Sequence, residues 1–208
     1  MSNIDVEYVM TDKGKEMSQE SKIRQWVYYL SSGGLFPYSG KLSGKELSVL
    51  NKKLNKAINI DEPTIISYSC DISKEVFASI ALRIREHERY YDKDVRYTVV
   101  DVDKLLSVRL DDEIVDISRP FDNYTILFVK MSISIPHMYN AFCVVEMAKL
   151  RKEKGLHTFF FFSGTEAVLK SRVWQLDLNG SGSNVKDDNK ILVPITNYIS
   201  YINLDKYK

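Results

Sequence analysis

The sequence predicts an α/β fold, a mostly parallel sheet flanked by helices, and three observations carry that expectation. Short apolar runs recur along the chain, at residues 64–68 (TIISY), 95–100 (VRYTVV), 124–129 (YTILFV) and 158–162 (TFFFF). Amphipathic segments long enough to be crossover helices lie between them, the signature of βαβ units. The strongest runs are continuous rather than alternating, as strands covered on both faces require. The four consecutive phenylalanines, Phe159 to Phe162, are therefore expected in a central strand.

The elements follow in order. Residues 1–17 are polar and carry no pattern. Ile23, Trp26, Val27 and Leu30 recur at helical spacing and stop at Ser-Ser-Gly-Gly, predicting a helix over 18–31. Ser43 with Glu46 has the form of a capping box, and Leu47, Leu50, Leu54 and Ile58 continue one face of a second helix. Residues 1–60 thus form a helical N-terminal segment, read as an adaptor, and 61–208 the α/β core. Within the core, helices are expected over 73–90, with Val76, Phe77, Ile80, Ala81 and Ile84 inside, and over 103–110. Another spans 137–154, with Met138, Phe142, Val145 and Ala148 inside, and ends at Gly155, a fitting residue just past a helix. Residues 173–178 and 190–194 are expected to form a C-terminal hairpin, with Pro194 hinting at an edge.

Totals limit the function. Twenty-nine basic residues against 28 acidic ones give a net charge of +1, which weighs against a dedicated nucleic-acid or membrane-surface domain but leaves room for a local basic stripe. The first residues have neither a basic nor an apolar stretch of a signal peptide, so a cytoplasmic protein is expected. Cys70 and Cys143 read as free buried thiols. His87, His137 and His157 are too far apart for a metal motif, and no nucleophile has an adjacent base. No catalytic residue, metal or cofactor is expected.

In an open parallel sheet, ligands sit at the carboxyl ends of the strands. Three segments matter there: 68–75 (YSCDISKE), 130–136 and 163–165 (SGT). The first lies between a strand and a helix, as does the phosphate-cradling G-x-x-x-x-G-K-[ST] loop, and Lys74 falls on that pattern's lysine. Tyr68 and Ser73 stand where it has glycines, and Glu75 where it has the hydroxyl. An ordinary helix start capped by Asp71 or Ser73 accounts for the same residues.

By order of elements, residues 64 to about 172 resemble the ATPase core of the AAA+ family, its helicase-loader branch in particular. The family's order is a P-loop strand, a helix, a second strand with a short helix, a Walker B strand, a helix ending in basic residues, and a sensor strand ending in a polar residue. The resemblance puts Lys130 in the Walker B place and Ser163 at the end of the sensor strand. In the family, a hydroxyl and a carboxylate hold Mg²⁺ beside the phosphates. Glu75 would repel phosphate, and Lys130 cannot ligate a cation. The resemblance therefore implies a pseudo-ATPase in which a Glu75–Lys130 ion pair stands in the metal's place. The Ser163-Gly-Thr turn reads either as the relic of a sensor or as a cap for a helix over 166–172.

Two basic stripes, Arg83, Arg85 and Arg89 and then Lys149, Arg151, Lys152 and Lys154, are candidate contacts to a nucleic-acid backbone. The helix dipole alone also favours basic residues in a last turn. The expectation is a non-catalytic interaction protein that assembles with itself or with replication or other nucleic-acid-handling machinery. A protein partner, a homo-oligomer and nucleic acid are its expected contacts, and a membrane is not. The rival readings are an ATPase that still uses Lys74, and an assembly protein making homotypic contacts.

Overall fold

A computed structural model describes residues 8–11, 14–18, 21–23, 44–68, 74–87, 95–102, 118–131, 138–170, 175–177 and 192–204. The chain divides into two compact units, one of residues 1–57 with 71–95, the other of 58–70 with 96–208.

The first unit contains strands β1 (Tyr8–Thr11) and β2 (Gly14–Met17), paired antiparallel from Tyr8↔Met17 to Thr11↔Gly14. The sequence pattern gave no sign of this hairpin. The residues beyond Ile23 that would complete the helix expected over 18–31 lie outside the described residues. Helices α1 (Gly44–Ala57) and α2 (Lys74–Arg85) belong to the same unit. The Arg83 guanidinium donates from Nη1 to the Leu54 carbonyl at 3.1 Å. That oxygen belongs to the last turn of α1, where carbonyls have no partner within the helix. A cation there also opposes the negative end of the helix dipole. Lys22 pairs with Glu86 at 2.8 Å.

Helix α2 is buried without a break from Glu75 to Leu82, and the five residues expected inside are all buried. Ser79 lies in this stretch, and among the described residues its Oγ has no hydrogen-bond partner. A buried hydroxyl left unmatched costs about 1–3 kcal/mol, and alanine is also the better helix former. Ser79→Ala is therefore expected to stabilise the protein by about 1 kcal/mol, read as a higher urea midpoint at unchanged slope. A lower midpoint would contradict the assignment.

The second unit is built on a five-stranded sheet of β3 (Thr64–Tyr68), β4 (Tyr97–Asp101), β5 (Ile126–Met131), β6 (His157–Ser163) and β9 (Ser200–Asn203). The order across it is β4-β5-β6-β3-β9, and every pairing is parallel. The predicted α/β class is thus the observed one. The phenylalanine strand β6 is central, between β5 and β3, with all four rings fully buried. Strand β9 went unpredicted.

Helix α3 (Met138–Glu153) covers one face, packing Ala141, Val144, Met147 and Ala148 in one cluster with Ile65, Leu127, Val129, Phe160 and Phe162. The sequence pattern placed Phe142 and Val145 inside. The helix is rotated by about one residue from that frame, because apolar residues run side by side through its first half and offer two competing stripes. Phe142 is 47% exposed and Val145 only partly buried. On the other face of the sheet Phe128, Phe159 and Phe161 meet, Phe128 lying 6.1 Å from Phe159 and 5.8 Å, edge-on, from Phe161.

Gly155 takes φ +68°, with Leu156 N–H donating to the Arg151 carbonyl and Gly155 N–H to that of Lys152, both at 2.9 Å. This pair of bonds is the Schellman ending, which requires a left-handed residue. A short helix α4 (Glu166–Leu169) follows β6; Thr165 opens it, but its side chain makes no capping hydrogen bond. Strands β7 (Gln175–Asp177) and β8 (Leu192–Pro194) pair antiparallel, the expected C-terminal hairpin. The helix expected over 103–110 lies outside the described residues.

Candidate functional site

After β3 the chain crosses past β6 and β5 to the far edge at β4; after β6 it runs the other way, past β3 to β9. Neighbouring strands whose continuations depart in opposite directions leave a crevice at their carboxyl ends. That point lies between β3 and β6. Their ends are tied together, Tyr68 in register with Ser163 and the Gly164 N–H donating to the Tyr68 carbonyl at 3.0 Å. One residue back, the Ser67 and Tyr201 hydroxyls share a hydrogen bond of 2.6 Å that fixes β9 to β3.

Alternation along the strands sorts the end residues by face. Val100, Val129, Met131, Phe162 and Ile65 belong to the cluster under α3. Asp101, Lys130, Ser163 and Tyr68 therefore point to the opposite face. Asp101 and Lys130 are register partners, so opposite charges stand side by side at the ends of β4 and β5. Ser163 is exposed, Lys130 half-buried and Tyr68 buried. Of the four residues singled out from sequence, Lys130 and Ser163 come to one face and one end of the second unit. Lys74 and Glu75 are the first two residues of α2 in the other unit, and Glu75 is buried at 3% exposure. Asp101 and Tyr68 are additions from the strand register. Each ends a predicted strand or lies just past it, which is the signal that could have nominated them.

Four residues of the two basic stripes, Arg83, Arg151, Lys152 and Lys154, are engaged within the protein. Arg151, expected to reach nucleic acid, has no exposed surface. It donates from Nε to Thr158 Oγ1 at 3.0 Å, from Nη1 to the Phe121 carbonyl at 2.8 Å, and from Nη2 to the Tyr124 and His157 carbonyls at 2.8 and 3.2 Å. Burial pulls its pKa down to about 10, with the Asp122 carboxylate acting the other way, so it is cationic at neutral pH. Lys152 pairs with Glu62 at 2.7 Å, and Lys154 with Asp122 at 2.9 Å while also donating to Ser118. Lys149 remains exposed on α3. In the first stripe Arg83 holds the end of α1, and burial lowers its pKa. Arg85 is exposed, and Arg89 lies outside the described residues.

These bonds form a structural knot at the amino end of the sheet. Arg151 gathers the 3-10 turn Arg119–Phe121, the entry to β5 and the start of β6. The buried His157 ring donates from Nδ1 to the Ile60 carbonyl, adding the segment before β3. Chemistry at the carboxyl end is sparse by comparison. Among the described residues no group of three or more His, Cys, Asp or Glu side chains could hold a metal ion, and no helix is long and apolar enough to cross a membrane.

No protein-family model matches the sequence, and no curated protein is similar to it.

Proposed function

We propose that the chain is a non-catalytic interaction protein with a P-loop-like core, a pseudo-ATPase that assembles with itself or with replication or other nucleic-acid-handling machinery. The observation that carries this reading is the pairing of a ligand-site topology with unsuitable chemistry. The β3–β6 crevice lies where an α/β sheet would receive a phosphate ligand. Strand β5, next to β6 in the sheet, carries Lys130 at its penultimate position, in register with Asp101 of β4. An ammonium near the end of β5 cannot ligate Mg²⁺, and in the sequence Glu75 takes the place of the phosphate loop's hydroxyl, where a carboxylate disfavours phosphate. The alternation β3, α2, β4, β5, α3, β6, with basic residues closing α3 and Ser163 closing β6, supports the AAA+ comparison as its source.

The test is thermal melting of the protein with and without millimolar ATP and Mg²⁺, repeated on Lys74→Ala. A nucleotide that binds only the folded state would add about 2.7 kcal/mol at a hundredfold excess over its dissociation constant. No shift is expected. A shift that Lys74→Ala abolishes would overturn the reading in favour of an ATPase. Light scattering on the same sample checks assembly, since a self-associating chain has a mass above 24.1 kDa.

A further inference from the structure

Helix α1 carries four lysines against one glutamate, GKELSVLNKKLNKA, in a chain whose net charge is only +1. Three of those lysines, Lys45, Lys52 and Lys56, are exposed. At 3.6 residues per turn they fall within an arc of about 40° and form a row roughly 16 Å long on one side of the helix. Leu54 lies on the reverse side and is buried. Among the described residues the three make no ion pair or hydrogen bond through their side chains. Elsewhere the pattern differs: Lys22, Lys152, Lys154 and Lys170 are each within 2.9 Å of a carboxylate. Among the described residues, three exposed lysines without an ion pair thus share one side of α1, outside the two stripes that the sequence pattern nominated.

We propose that this outer face of α1 binds the phosphate backbone of a nucleic acid, without regard to base sequence. A line of point cations matches a line of phosphates, and releasing condensed counterions drives that association. Exposed Ser48 and Asn55 flank the row and are among the side chains that hydrogen-bond phosphate oxygens. A membrane surface fits less well. Interfacial helices sink an apolar face into the lipid, whereas on α1 Leu54 is already buried, Leu50 is half-buried, and Val49 is the large apolar residue exposed beside the row. The inference does not depend on whether nucleotide binds at the β3–β6 crevice, so either can fail alone.

The experiment is fluorescence anisotropy with a labelled 20-base-pair DNA duplex of mixed sequence, and with the corresponding single strand, between 50 and 200 mM salt. Wild type is compared with the triple variant Lys45→Ala, Lys52→Ala, Lys56→Ala. On the duplex, the slope of log affinity against log salt should flatten by about 2.7 in the variant, 0.9 for each phosphate no longer neutralised. The triple Lys→Arg variant should keep the wild-type slope, and Lys152→Ala should not alter it. Three results would overturn the inference. These are no binding of either probe at 50 mM salt, an unchanged slope in the triple alanine variant, or binding to phosphatidylserine vesicles with none to nucleic acid.

Discussion

Replacing Arg151 with alanine is expected to destabilise the protein by about 3–5 kcal/mol, because it strands several hydrogen-bond acceptors at once inside the fold. The guanidinium serves the Thr158 hydroxyl and three backbone carbonyls, those of Phe121, Tyr124 and His157. Water cannot readily replace it, because Arg151 has no exposed surface. Each buried acceptor stranded by the change costs about 1–3 kcal/mol, although such losses do not add fully. Arg151→Lys should recover little, since a compact ammonium cannot span four acceptors that the planar fork reaches from three nitrogens. Urea denaturation of the two variants and of Lys152→Ala makes the comparison. The exposed Lys152–Glu62 pair should be worth under about 1 kcal/mol. If Arg151→Ala cost no more than Lys152→Ala, the knot would be incidental to stability.

Phe160→Ala is expected to cost about 3–5 kcal/mol, the range for deleting a fully buried aromatic ring. Phe160 lies at the middle of the central strand, in register with Val129 on one side and Ile65 on the other, and its ring joins the cluster under α3. Strands on both sides fix the backbone at this point, so the cavity has little room to collapse. The exposed Phe142 on α3 provides the control, because its truncation removes far less buried surface. A chain of this size has only about 5–15 kcal/mol to lose. A Phe160→Ala loss below about 1 kcal/mol would mean the core can close over the missing ring.

The sheet was legible because burial on both faces forces parallel strands into continuous apolar runs, and β3, β5 and β6 have them. Strand β9 was not, since an edge strand buries less: of Ser200, Tyr201, Ile202 and Asn203, Ile202 is the one buried. The short alternation of apolar and polar residues around Tyr201 was its faint signal. The Arg151 knot was partly readable. Ala141, Val144, Met147, Ala148 and Arg151 share one helical stripe, which would have turned Arg151 inward, but the neighbouring lysines made it look like part of a solvated basic end. The switch point between β3 and β6 could not be read, because strand order depends on pairings between residues far apart in the chain.

Thr64 and Ser200, paired in the sheet, are separated by 136 positions. At 5–20 residues per second on the ribosome, β3 waits roughly 7–27 s after its own synthesis before β9 exists. Strand β6 can already occupy one of its edges in that interval; the other is an apolar strand edge open to pairing with a neighbouring nascent chain. Four residues made 136 positions later thus decide how long each new molecule is vulnerable, and the yield of soluble protein should follow the pace of translation between the codons of β3 and those of β9.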